Sequence, residues 1–143
     1  MATHAEKPPG AGLPLTCTLS THEALVDAAQ AVAARTAELA GCAADDADKL
    51  GAAMRTALEA LISQVPAARR PRELEVAFSG TERVLRVELS CDTAVGDDGQ
   101  ALEQVLGEGE AGQRLRGLVD RVEFGREGAR QSCRLTRQIK RPR

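Results

Sequence analysis

The sequence predicts an α+β fold, a two-layer sandwich with a mainly antiparallel or mixed β-sheet and long α-helices packed on one face. Three observations lead there. The stretch from Asp45 to Val65 carries apolar residues at a helical period along its whole length. Two pairs of runs that alternate apolar and polar residues, each pair separated by a Gly-containing turn, read as hairpins. No repeat of solenoid period is present, so the elements must close around one core. With 143 residues, 43% hydrophobic and 28% charged, the chain suits a single domain with a core of its own.

Residues 1–12, MATHAEKPPGAG, are polar and rich in Pro and Gly, and a disordered leader is expected there. In LPLTCTL, Leu13, Leu15, Cys17 and Leu19 alternate with Pro14, Thr16 and Thr18, the pattern of a half-buried strand that Pro14 places at a sheet edge. Ser20-Thr21-His22-Glu23 has the form of a capping box opening a helix. Leu25, Ala29, Val32, Thr36 and Leu39 are read as its buried face, and Gly41 as its stop. His22, in the first turn, reads as a solvated surface histidine.

The long helix follows, with Leu50, Ala53, Met54, Ala57, Leu58, Leu61, Ile62 and Val65 as its apolar stripe. Asp45 is the expected N-cap, with Asp48 three residues on, and Pro66 ends the helix. PAARRPR, 66–72, is a loop with Arg69, Arg70 and Arg72 toward solvent. In the first hairpin, Leu74, Val76 and Phe78 are set against Leu85, Val87, Leu89 and Cys91, with the turn at Ser79–Glu82. DTAVGDDGQ, 92–100, is a loop, and a short helix is expected over Gln100–Leu106. GEGEAG, 107–112, reads as flexible, before a helix that places Ala111, Leu115, Leu118, Val119 and Val122 in phase. The second hairpin, RVEF and RQSCRLTRQI, is turned at Gly125–Gly128. The domain is thus expected over 13–140, with a basic tail at 141–143.

Composition excludes several functions. A net charge of −2 with mixed signs provides no global field for nucleic acid or membrane. Phe78 and Phe124 are the only aromatic residues, which leaves no stacking platform for single strands, and no helix-turn-helix pattern presents a recognition helix. No apolar run approaches the roughly 20 residues of a membrane span, and the N-terminus lacks an apolar signal-peptide centre, so a cytoplasmic location is expected. Cys17, Cys42, Cys91 and Cys133 form no CxxC pair and read as small buried hydrophobes in a reducing compartment. A zinc site needs closer ligands and more histidine than His4 and His22 supply.

In their order and spacing, DADKLGAAMRTALEAL in the long helix, RLRGLVDRVEF at 114–124 and the closing CRLTRQI resemble the histidine-kinase-like ATPase (GHKL, or Bergerat) superfamily. Within it, the chain resembles the bacterial anti-sigma-factor serine kinases of the partner-switching type, over residues 13–140. The resemblance implies a long helix carrying a Glu, an Asn four residues later and often a His four later still. The Asn holds the magnesium that bridges the nucleotide phosphates, and the Glu assists the attacking group. The aligned residues here are Thr56, Ala60 and Gln64. Ala60 has no oxygen for a hard cation, and Thr56 is no base near neutral pH. Glu59 points away by about 100° of helix rotation.

The family's Asp-x-Gly-x-Gly box, whose Asp bonds adenine, aligns with Asp92-Thr93-Ala94-Val95-Gly96. A shift of one residue puts Cys91 in the Asp position. The Gly-x-Gly segment opening the last helix corresponds to Gly109–Gly112, beside the opposing charges of Glu108 and Glu110. Asp92, Gly96, Gly109 and Gly112 are therefore the cofactor-contact candidates if nucleotide binding is retained, and no catalytic or metal-ligating residue is assigned. The resemblance implies a protein-binding regulator that meets a sigma factor or an anti-anti-sigma-like protein and pairs as a homodimer; the departures at Thr56 and Ala60 imply lost or weakened ATP binding and kinase activity, so no cofactor is expected, nor direct nucleic-acid or membrane contact. One alternative is an active serine kinase using ATP and Mg2+, with ligands from Glu59 or Asp97-Asp98. Another is a non-catalytic partner of a different kinase system.

Overall fold

The computed structural model describes residues 15–68, 70–81, 83–92 and 102–139. Five antiparallel strands form one sheet: β1 (Leu15–Ser20), β2 (Glu73–Gly80), β3 (Val84–Asp92), β4 (Arg121–Glu127) and β5 (Arg130–Gln138), in the order β1-β2-β3-β5-β4. Four helices, α1 (Val26–Leu39), α2 (Ala44–Gln64), α3 (Leu102–Gly107) and α4 (Gly109–Leu118), cover one face of it. This is the predicted α+β sandwich. β1 lies at an edge, as Pro14 suggested, although Pro14 itself is outside the described residues.

Period-2 alternation decides which side chains meet the helices. Leu74, Val76 and Phe78 on β2, Leu85, Val87 and Leu89 on β3, and Cys133 and Leu135 on β5 are buried. They form one cluster with Leu50, Met54, Leu58 and Leu61 of α2. Each such side chain contributes about 1.5–3 kcal/mol, so α2 is the keel of the fold. Its stripe is as predicted, but its N-cap is Ala43, without a side-chain cap; Asp45 and Asp46 lie inside the first turn, where their charge favours the helix N-terminus.

Asp46 also anchors a polar node. Arg137 of β5 donates to Asp46 Oδ1 from Nε at 2.9 Å and Nη2 at 2.6 Å, and from Nη1 to the Leu118 carbonyl at 2.8 Å. One guanidinium thus joins the start of α2, the end of α4 and the sheet. Removing one partner leaves a largely buried charge alone, at a cost of about 3 kcal/mol.

α1 departs from expectation. Its buried residues are Val26, Ala29, Ala33, Thr36 and Ala37, whereas Leu25, Val32 and Leu39 are 46%, 38% and 65% exposed. Close approach to α2 is the reason. A methyl group on Gly51 of α2 would sit 3.1 Å from the Gln30 carbonyl and 3.2 Å from Ala34 Cβ of α1. Only small residues fit such a seam, so the alanines face inward. The capping box does not form either. Ser20 ends β1 and its Oγ accepts from His22 N, while the exposed His22 accepts from Ala24 N and opens a single 3₁₀ turn, Glu23–Leu25. Gly41, at φ 104°, does end α1: Cys42 N bonds the Ala37 carbonyl and Gly41 N that of Glu38.

The turns shift as well. β2 runs through Gly80, and Thr81 N bonds the Val84 carbonyl. The second hairpin turns at Gly128-Ala129, with Glu127 paired to Arg130, and not at Gly125–Gly128. Gly128 supplies the required positive φ, 63°, and Gly125 lies within β4. Val122 belongs to β4 rather than to the last helix, and residues 109–112 are the first turn of α4 rather than a flexible link.

Cys91, Cys133 and Cys42 are buried, and no disulfide joins any two of the four cysteines. Burial pushes the Cys133 thiol up to about 12. Its contribution to stability is therefore full below the ordinary value of 9.0 and is lost as pH rises toward 12, because the unfolded thiol ionises first. Urea unfolding across that window should show falling stability, with a shallower slope in Cys133→Ala.

Candidate functional site

Nine residues separate Gly51 from Ala60, which is about 180° of helix rotation. The Gly51 flank of α2 meets α1, where Arg55 donates to Asp27 and Gln30, both at 2.6 Å. The opposite flank carries Asp46, Ala53, Thr56 and Ala60, and α3 and α4 are also in contact with α2. Thr56 is 8% and Ala60 6% exposed. The Thr56 hydroxyl donates to the Ala52 carbonyl at 2.8 Å within its own helix. Gln64, the last residue of α2, is exposed. Thr56 and Ala60 are thus covered, while Gln64 at the end of the strip is open to solvent.

The corner between α3 and α4 is held by four fittings. Leu102 N, at the start of α3, donates to the buried Gln131 Oε1 of β5 at 2.7 Å. The Gly107 backbone lies against the Phe124 ring, where an added Cβ would stand 2.9 Å from Cε2. Arg116 Nη2 donates to the Gly107 carbonyl at 2.6 Å. Gly112 comes so close to Gly107 that a Cβ would be 2.6 Å from its carbonyl carbon and oxygen. Gly109, at φ 67°, makes the break between the two helices. Leu102, Val105, Leu106, Ala111 and Leu115 turn into the core from this corner. Packing thus accounts for the glycines at 107 and 112, and the left-handed backbone for the one at 109.

Asp92 stands elsewhere. It is the last residue of β3, and alternation places it with Ser90 and Glu88 on the solvent face, away from the helices. There Arg130 binds Asp92 Oδ1 at 3.3 Å, Ser90 Oγ at 2.9 Å and the carboxylate of Glu75. The neighbour that faces the helical layer is Cys91, whose thiol is raised by burial and by the Asp92 charge, with Arg130 opposing. The sheet therefore stands between Asp92 and the strip of Thr56 and Ala60. Gly96 and the Asp97-Asp98 pair lie outside the described residues. Glu59 is exposed and bonded to Arg55 at 3.1 Å.

A magnesium-bridged nucleotide is the group that such a fold implies. The residues at the corresponding helix positions do not fit it: Ala60 offers no ligand, the Thr56 hydroxyl has its acceptor within the helix, and both are covered. Among the described residues no group of His, Cys, Asp and Glu is placed to hold a metal ion. The buried or bridging roles of Arg137, Gln131 and Arg130 were not read from the sequence. The usable signal for the first two is phase: both occupy inward positions of β5 with Cys133 and Leu135, where a polar side chain needs a buried partner.

No protein-family model matches the chain, and no curated protein matches it. Among solved structures, its fold is similar to that in the crystal structure of the RsbU and RsbW domains of Rv1364c from Mycobacterium tuberculosis, with a TM-score of 0.64 and 16% sequence identity. The similarity covers 91% of this chain and 33% of that one, so the chain spans about a third of the length of its structural neighbour. Likeness at that identity establishes a shared fold. It agrees with the Bergerat-type architecture. No helix among the described residues is long and apolar enough to cross a membrane.

The glycine fittings give a paired test. Gly112→Ala should destabilise the protein by about 1–3 kcal/mol, because the methyl group meets backbone. Gly117→Ala, with nothing within 4 Å of the added Cβ, should instead stabilise α4 by up to about 1 kcal/mol. Urea melts of the two variants and the parent measure both.

Proposed function

We propose that this chain is a protein-binding regulator of the partner-switching type, resembling an anti-sigma factor, that acts without bound nucleotide. The carrying observation is Ala60, 6% exposed on the covered flank of α2, in the position where the resembled kinases keep their magnesium ligand. Thr56 in the place of the family's Glu and the solvent-facing Asp92 support the same reading. The fold shared with the RsbU and RsbW domains of Rv1364c supports a regulator of this broad class. Sequestering a partner needs a complementary surface and neither a metal nor a base, so these losses leave such a role intact. The partner is a sigma factor or an anti-anti-sigma-like protein, and the protein acts in the cytoplasm as a homodimer.

Calorimetric titration with ATP and Mg2+ tests this, backed by thermal shift. Bound ligand at about 100 times its dissociation constant adds roughly 2.7 kcal/mol of stability. The expected result is no magnesium-dependent heat and no shift; saturable magnesium-dependent binding would return the serine-kinase reading. Ala60→Asn provides a second readout. Under a closed corner it buries an amide and costs about 1–3 kcal/mol, whereas beside an open nucleotide cleft it would be nearly neutral.

A further inference from the structure

The solvent face of the sheet carries a depression of about 200 Å³, lined by Ala77 and Ser79 of β2, Arg86 and Glu88 of β3, and Arg134 of β5. Its origin is a step in side-chain size. The outward residues of β2 here are the two shortest in the group, while their cross-strand partners Glu88 and Arg86, and Arg134 opposite Glu88, are long. The small side chains make a floor and the long ones a wall.

The wall has unused donors. Among the described residues Arg86 makes no ion pair and no side-chain hydrogen bond. The Arg134 guanidinium reaches Glu88 only at 3.9 Å, too long for a hydrogen bond. Two forked donors therefore flank one small recess, with the Ser79 hydroxyl on its floor. That set matches a planar oxyanion, which a guanidinium binds through two parallel N–H···O bonds.

We infer that this depression is a docking site for a carboxylate side chain presented by an acidic segment of a protein partner. Size and charge select that occupant. The recess is smaller than the roughly 300 Å³ at which small-molecule sites begin, but it admits one Asp or Glu side chain. Glu75, Asp92, Glu123 and Glu127 occupy the same face beyond it, and the first three hold Arg130 and Arg121 in ion pairs, so an extended polyanion such as a nucleic-acid backbone finds no continuous positive track. Glu88 is the internal competitor: it attracts Arg134 and repels the incoming carboxylate. The source of the carboxylate rests on the protein-binding reading above, but the recess is tested independently of nucleotide.

The test is an NMR titration of the full chain with a capped tetraglutamate peptide, following the arginine Nε–H signals. Arg86 and Arg134 should shift saturably, while Arg114 and Arg126, exposed elsewhere, stay put. Ala77→Leu fills the floor without changing charge and should abolish the shifts, with circular dichroism confirming the fold. Glu88→Gln should tighten binding by about threefold, the size of a modest exposed charge interaction. Equal shifts at all four arginines, undiminished binding by Ala77→Leu, or a response to inorganic phosphate or duplex DNA but not to the peptide would each overturn the proposal. Failure here leaves the nucleotide titration unaffected, so the two readings fail separately.

Discussion

Burial of α2 on three sides is the constraint from which the rest of the molecule follows. Its underside lies on the sheet, one flank on α1 and the other on α3 and α4. A helix enclosed in this way leaves little room at its flanks, and the flanks are accordingly lined with Gly51, Ala53, Ala57 and Ala60, while leucines and methionine occupy the underside. Every neighbour adapts. α1 turns its alanines inward and leaves Leu25, Val32 and Leu39 outside; the α3–α4 corner uses Gly107 and Gly112 to come close. Arg137 closes the arrangement by tying Asp46 to the Leu118 carbonyl, which fixes where α4 ends relative to where α2 begins.

The same enclosure bears on function. In a nucleotide-binding member of such a fold, the helix flank with the metal ligand must face an open cleft. Here that flank faces protein. Ala60 is both short of an oxygen and covered. On the other side of the sheet, Arg130 gathers Glu75, Ser90 and Asp92, and Arg86 and Arg134 border the recess.

The fold was legible in the sequence wherever one face is buried and the other wet. The α2 stripe and the β2–β3 alternation each have a single period that only one register satisfies. Legibility failed where two periods compete. α1 has a leucine and valine line at every seventh residue and an alanine line at every fourth; sequence favours the larger side chains, and the tight seam with α2 favours the smaller. The second hairpin offered two glycines three residues apart, and only the backbone at Gly128 shows which one carries the left-handed conformation. The candidate site was half legible. The absence of ligand chemistry at Thr56 and Ala60 can be read from residue type alone, but the face on which Asp92 points depends on a strand register that the sequence left one residue uncertain.

The core gets its cohesion almost wholly from aliphatic side chains, with Phe78 the one ring enclosed within it and Phe124 partly covered by Gly107. The chain has no tryptophan and no tyrosine. It is therefore almost dark in the near ultraviolet, in absorbance and in emission alike. In a mixture, the intrinsic fluorescence belongs to whatever else is present. Any partner with an indole of its own reports its docking directly, with neither molecule labelled.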